Sequence, residues 1–410
     1  MQSPIIAGPP LDIETWKELR LRAIFDYCKW DAHCGDQEVL ARFPLILPQS
    51  TVDEIAALAE ALTSQALQAE EEILSKPNLL ACLGIPTAIR DCLPGGAAES
   101  GRRDVRVMRF DFHHTTEGWR ISEVNADVPG GYVEASGWNA LVAAQQTDAV
   151  ATLDPTQEYA NAICEGLPTG SLVALVHATV YSEDRQVMVY LGRELQRRGM
   201  RVCLASPRNL CWRDGYATMR ADFERGRPDF VVRLSPAEWL PGECDRESWA
   251  PWFAGSETPL SSPGAAIILQ SKRFPLVWDS LSCGISTWRR LLPETRCPKE
   301  VQDVTNGEWV VKPAFGRVGE DVGICGVTNA EEYRRILKAM RDAPNQWVAQ
   351  RRFNVSPVRT ESGDVFPCVG VYTVNGRFAG LYGRAAHVPL VDANALDVAM
   401  LIRNDNGGGA

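Results

Sequence analysis

The chain has 410 residues, of which 45% are hydrophobic and 23% charged, with a formal net charge of −10. That length accommodates two or three domains around a large buried core, and the composition is that of an ordinary globular protein. An acidic balance argues against a nucleic-acid partner, because phosphate neutralisation needs clustered Lys and Arg, and no apolar run approaches the ~20 residues that span a bilayer.

The first ten residues, Met1-Gln-Ser-Pro-Ile-Ile-Ala-Gly-Pro-Pro10, lack the basic segment and apolar core of a signal peptide, so a cytoplasmic location is expected. The 12 cysteines show no C-x-x-C pair, in keeping with free thiols in a reducing compartment. His33 near Cys28 and Cys34 reads as local packing, since no second pair completes a zinc site.

Residues 13–29 carry a helical pattern through Trp16, Leu19, Leu21, Ile24 and Phe25. A second helix is predicted over 53–75, with Ile55, Leu58, Leu62 and Leu67 at helical spacing and Thr51 or Asp53 as N-cap. The run Pro94 to Gly101 is a loop. Two period-2 runs follow, Val105–Phe112 and Trp119–Asn125, separated by a polar turn near Thr116. Folding this hairpin sets Asp111 about opposite Glu123 and Arg109 about opposite Asn125. Facing carboxylates destabilise a strand pair. A divalent cation reverses that cost, and an Asp/Glu/Asn oxygen set suits Mg²⁺ that also holds substrate phosphates. A solvated polar face with Arg109 neutralising one carboxylate explains the pattern as well, and the hairpin alone does not decide. After Asn125, the loop through Gly130 and Gly131 fits either close substrate approach or a plain turn. Glu134 to Asn139 then opens or flanks a helix.

From Ser171 the pattern changes. A strand at 172–177, an amphipathic helix at 183–198 stopped by Gly199, and strands at 201–205 and 229–234 form a βαβ arrangement, hence a parallel sheet. Ligands of such sheets sit beyond the carboxyl ends of the strands. Glu183 and Asp184 occupy that position, although acids there also favour the helix dipole. Further on, the strand 308–312 ends in Lys312 and enters a loop containing Gly316, Arg317, Gly319 and Gly323. Successive N–H groups in such a loop cradle phosphate oxygens, with lysine as a point charge; an ordinary hairpin turn fits equally well. A helix at 330–342 and a strand at 347–353 follow. Upstream, Lys272 is a second candidate phosphate lysine.

Arg109-Phe-Asp-Phe-His113, Glu123-Val-Asn-Ala-Asp127, Arg233 through Pro236-Ala-Glu-Trp239, and Trp309-Val-Val-Lys-Pro-Ala-Phe-Gly-Arg317 together resemble the synthetase part of the glutathionylspermidine synthase family. The resemblance runs from about Trp16 to Ile402, with the pieces in the family's order. It implies an α/β protein: an ATP-grasp fold with a Rossmann-like (pre-ATP-grasp) substrate domain and an N-terminal helical segment. The implied layout is a helical segment over 1–100, a metal- and ATP-binding hairpin over 101–150, and the substrate domain over 151–260. The ATP-grasp nucleotide part follows over 261–403, then a disordered tail over 404–410. Asp111, Glu123 and Asn125 would hold Mg²⁺, while Lys272, Lys312, Gly316, Gly319 and Arg384 would face ATP. Arg109 would stabilise the transferring phosphoryl group, Arg317 would close over the intermediate, and Glu183 and Asp184 would face a thiol-peptide substrate.

The implied chemistry is an amide ligation through an acyl phosphate, with ATP and Mg²⁺ as cofactors. The partners would be a small carboxylate and an amine, peptide- or polyamine-like, with neither nucleic acid nor membrane, and a homodimer as the commonest assembly. Two departures bear on substrates. The residues before Arg109 leave no room for the family's amidase domain, and Val128-Pro129-Gly130 replaces small hydroxyl-bearing residues near the peptide substrate. A small-molecule phosphotransferase and an inactive nucleotide-binding scaffold stay open beside the ligase.

Overall fold

The computed structural model describes residues 3–35, 37–95, 103–179, 181–220, 224–317 and 319–405. The expected loop at 94–101 and the tail at 404–410 fall largely outside them. The architecture is mixed α/β, with parallel and antiparallel sheets packed against helices.

The hairpin forms as Val107–Thr115 and Gly118–Asn125, with Arg109 opposite Asn125 as expected. Asp111 departs from simple pairing: the register shifts between Phe110 and Phe112, so Asp111 sits at a bulge facing Ser122 and Glu123. A bulge re-aims a side chain out of the regular ladder. Here it turns the acid toward a cleft. Long-range pairing extends the hairpin into a six-stranded antiparallel sheet, in which Val107–Thr115 lies beside Gly363–Val374, followed by Arg377–Ala386 and Leu396–Val398. The hydrophobic side of this sheet carries Met108, Phe110, Phe112 and Ile121. The 26-residue helix Gln49–Leu74 joins the same core through Ile55, Leu62, Ala66 and Ile73.

The predicted parallel sheet is present. Leu172–His177 pairs with Arg201–Ala205 on one side and Phe230–Leu234 on the other, and Leu260–Ser261 adds a fourth parallel strand. The helix Ser182–Arg197 connects the first two and buries Val187, Leu191 and Leu195 against them; Gly199, at φ 81°, reverses the chain. A third, antiparallel sheet contains Trp309–Pro313 between Trp347–Arg351 and Gly323–Ile324. The helix Ala330–Asp342 packs Ile336, Leu337 and Met340 onto it.

Two local expectations are corrected. The long helix starts at Gln49 on Pro48, not on a Thr51 or Asp53 cap. Strand Leu45–Pro48 runs straight into it, and proline's fixed φ sets the entry without a side-chain cap. In the first helix, Ile13–Tyr27, the buried stripe is Trp16, Leu19 and Ala23, while Leu21 and Phe25 are 53% and 72% exposed. All twelve cysteines lie in the described residues and are free thiols. Among the described residues no helix is long and apolar enough to cross a membrane.

Candidate active site

A cleft of about 640 Å³ opens where the three sheets meet, and all twelve residues singled out from the sequence line it. The hairpin supplies Arg109, Asp111, Glu123 and Asn125; the parallel sheet supplies Glu183 and Asp184 beyond its carboxyl edge; the third sheet and its glycine-rich loop supply Lys312, Gly316, Arg317 and Gly319.

On the hairpin, the Arg109 guanidinium forks onto Asp111, with Nε donating to Oδ1 at 2.8 Å and Nη2 to Oδ2 at 3.1 Å. Its remaining edge donates from Nη1 to the Gly130 carbonyl at 2.8 Å, and its face lies 5.1 Å from the Tyr382 ring centroid. Asn125 Nδ2 donates to Asp111 Oδ2 at 3.1 Å. A Cβ at Gly370, on the neighbouring strand, would come within 2.8 Å of Arg109 Cδ. The space the arginine needs therefore requires a glycine there.

Lys272 pairs with Glu123, and the buried Lys312 ammonium adds its charge nearby. Lys272 Nζ is 3.1 Å from Glu123 Oε2 and donates to the Gly316 carbonyl at 3.0 Å. Lys312 Nζ donates to Gln350 Oε1 at 2.7 Å and to the Ser122 carbonyl at 3.1 Å. Burial pushes the Glu123 carboxyl up, but the Lys272 and Lys312 charges outweigh it and hold it below the usual carboxylate range. Burial lowers the Lys312 ammonium to about 8 against the pull of Glu123. His113, whose Nε2 lies 3.0 Å from Ser122 Oγ, is lowered by burial to about 4 and stays neutral at working pH.

Across the cleft, burial raises Asp184 to about 7, with Arg317 opposing and Glu183 reinforcing. Arg317 rests 5.4 Å from the Trp239 ring centroid and 3.7 Å from Glu238 Oε1, while its buried Nε and Nη2 make no hydrogen bond. At Gly319, φ is 71° and a Cβ would meet the Val391 carbonyl at 2.4 Å, so the loop leans on the segment 389–395. Arg384 reaches the same segment, donating from Nη2 to the carbonyls of Asp392 at 2.7 Å and Ala395 at 3.1 Å.

No group of three or more His, Cys, Asp or Glu side chains suited to a metal ion occurs among the described residues. Asp111, Glu123 and Asn125 nonetheless bring carboxylate and amide oxygens to one strand pair, where Arg109, the Asn125 amide nitrogen and Lys272 engage them. That set fits Mg²⁺, which typically takes one or two carboxylates and completes its shell with water and phosphate.

Sequence reasoning missed several lining residues. Gln350 lies in a recognised strand opposite Val310, two residues from Lys312, a cross-strand neighbourhood that the sequence does not display. Glu238 was inside a quoted motif. Lys29, Asp31, Glu134 and Asp397 carried no local signal, because separate segments bring them together.

A family model described as glutathionylspermidine synthase preATP-grasp matches residues 22–403. No curated protein matches the chain. Among solved structures, a glutathione synthetase like-effector from Globodera pallida, in apoform, is similar over 98% of this chain and 98% of that chain, with 11% identity and a TM-score of 0.59. This is a likeness of fold. An assigned gamma-glutamylcysteine synthetase from Methylobacillus flagellatus KT is similar over 71% of this chain and 80% of that chain, with 13% identity and a TM-score of 0.43.

Proposed function

Because the chain belongs to the glutathionylspermidine synthase preATP-grasp family, whose model spans residues 22–403, we propose that it is a Mg-ATP-dependent ligase joining a small carboxylate to an amine. The observation that carries this reading is the Lys272–Glu123 pair, with the buried Lys312 ammonium close enough to lower the same carboxyl, beside the Arg109–Asp111 fork within one cleft. A lysine paired with a hairpin carboxylate and a second buried ammonium beside it suit a metal–polyphosphate ligand. When bound, Mg-ATP supplies the phosphoryl group that turns an unreactive carboxylate into an acyl phosphate.

The chain's residues then have separable tasks. Asp111, Glu123 and Asn125 hold the metal. Lys272, Lys312 and the N–H groups around Gly316 and Gly319 receive phosphate oxygens. Arg109, already oriented by Asp111 and Gly130, offers charge to the transferring phosphoryl group; such transfer depends on positioning and neutralisation more than on covalent help. Arg317 has two buried nitrogens without an acceptor, and leaving them so is costly. An anionic intermediate removes that cost, and loop closure over it excludes water. Glu183 and Asp184 face the incoming substrate from the parallel-sheet side. In this reading the hairpin and 261–403 form the ATP-grasp part, and 151–260 the substrate part.

The test is ADP release from Mg-ATP against a panel of small carboxylates and amines, with Glu123→Ala as control. Turnover that needs both an acid and an amine and vanishes in the variant supports the ligase. ADP formed with one small molecule that ends as a stable phosphate ester refutes it in favour of a phosphotransferase. Tight nucleotide binding with no turnover across the panel leaves either a substrate pair outside the panel or an inactive nucleotide-binding scaffold.

A further inference from the structure

The first helix ends at Tyr27, and the next residue, Cys28, is buried and lies in the left-handed region at φ 64°. That reversal sends the chain inward: the Lys29 N–H donates back to the Ala23 carbonyl at 2.9 Å, and the Lys29 side chain, 3% exposed, reaches the wall of the cleft. Its ammonium group meets Asp31 at 2.8 Å, Asp397 at 2.9 Å and, in a closer contact, Glu134. Three carboxylates around one ammonium leave an excess of negative charge. Arg384, with Nε 3.9 Å from Asp397, offsets part of it. Burial raises the Glu134 carboxyl to about 7 against the pull of Lys29, which eases the remaining charge.

Asp397 does not end the chain of contacts. It accepts a hydrogen bond from the Tyr382 hydroxyl at 2.7 Å, and the Tyr382 ring supports the face of the Arg109 guanidinium. The ring is pressed from another side by the backbone at Gly131, where a Cβ would lie 2.9 Å from it. Arg109 is thus gripped at its edges by Asp111 and Gly130, and its face rests on a ring whose hydroxyl is tethered to an ionised acceptor.

We propose that Lys29 is a positioning residue for Arg109, acting through Asp397 and Tyr382, so that the N-terminal segment is a working part of the catalytic site. Without the ammonium, Asp31, Asp397 and Glu134 repel one another and draw in protons or water, Asp397 no longer fixes the tyrosine hydroxyl, and the ring under Arg109 tilts. The catalytic part of this inference rests on the ligase reading; the geometric part does not. A misplacement of about 1 Å costs roughly 100-fold in a positioned reaction, so the effect reaches kcat while leaving the nucleotide contacts of Lys272 and Lys312 in place.

The experiment uses the full chain with ¹⁵N-arginine labelling, and Arg109→Lys identifies the Arg109 Nε–H resonance by its loss. Lys29→Ala and Tyr382→Phe are compared with the parent by that resonance, by kcat and by KM for ATP. The expected result is a shifted or broadened Arg109 signal in both variants, with kcat reduced by about 10- to 100-fold and KM for ATP within about twofold. Propylammonium, the fragment that Lys29→Ala removes, restores both the signal and kcat with saturation. An unchanged Arg109 resonance in folded Lys29→Ala, or a loss that propylammonium does not reverse, overturns the proposal. Should Lys29→Ala not fold, Tyr382→Phe decides alone, and an unmoved resonance there overturns it. Failure of the ligase reading is separate, because in a parent that turns over no tested acid–amine pair the resonance still reports on Arg109.

Discussion

Asp127 and Arg233 form an ion pair in which both side chains are fully buried, joining the loop after the hairpin to the carboxyl end of a parallel strand. Asp127 Oδ2 also accepts the Ala237 N–H at 2.9 Å, at the start of the helical turn that carries Glu238 and Trp239. The pair therefore holds the two sides of the cleft in register. Removing one partner leaves an uncompensated buried charge, costing about 3–5 kcal/mol. Arg233→Met is expected to lose that much in urea denaturation, and Asp127→Leu combined with Arg233→Met to lose less than either single change. Equal losses in single and double variants would show that the pair's charge balance is not what matters.

Metal binding gives a second prediction. Asp111→Asn and Glu123→Gln keep the shape of each side chain but remove a charge from the oxygen set, so half-maximal turnover should require at least about tenfold more Mg²⁺, in line with losses seen when metal-site partners are altered. Chelation should abolish turnover reversibly, with no change in the melting temperature of the nucleotide-free protein. A magnesium titration that superimposes on the parent's would remove both residues from the metal site.

The Lys312 ammonium, lowered by burial to about 8, should make nucleotide affinity depend on pH. Its charge is lost as pH rises through about 8, so Mg-ATP affinity is expected to be level below that pH. Above it, affinity should weaken by up to about tenfold per pH unit for one deprotonation. Lys312→Met should bind more weakly at pH 7 and show no such limb. For folding the sign is opposite. A lysine whose folded value lies below its unfolded one contributes stability above the unfolded value of 10.5, which is lost as pH falls through about 8. Calorimetric titration across pH 7–10 checks the first, and melting of Lys312→Met against the parent checks the second.

Gly319→Ala tests the loop. The new Cβ would meet the Val391 carbonyl at 2.4 Å in a backbone at φ 71°, so loop and segment 389–395 must part. Turnover should fall by about tenfold or more, as for closing loops whose hinge geometry is disturbed, and global stability should fall by more than about 1 kcal/mol, because alanine is strained at this positive-φ position. Limited proteolysis in and around the loop should quicken, and an unaltered cleavage rate would count against the contact.

Much of the site was legible in the sequence because its parts are local. Arg109 opposite Asn125 follows from turn position and strand period, and the parallel unit from a strand, an amphipathic helix stopped by Gly199, and another strand. The bulge at Asp111 was not legible, since alternation counts residues and cannot see one slipped pair. Nor was the pairing of the hairpin with Gly363–Val374, which depends on closing a very long loop. Lys29 shows the limit most plainly: its neighbours Glu134 and Asp397 lie far along the chain, and only the folded core brings them to its ammonium group. Phe25 errs the other way, an apolar residue at helical spacing that the structure leaves exposed.

The most direct test of the central claim is the fate of oxygen from the substrate carboxylate. With the acid identified by ADP release, its carboxylate is labelled with ¹⁸O and the phosphate formed during ligation is examined by mass spectrometry. One ¹⁸O atom per phosphate is expected, because the carboxylate oxygen attacks the phosphoryl group held near Arg109 and leaves with it when the amine displaces it. Unlabelled phosphate, or label carried into a nucleotide monophosphate, would contradict an acyl phosphate formed in this cleft.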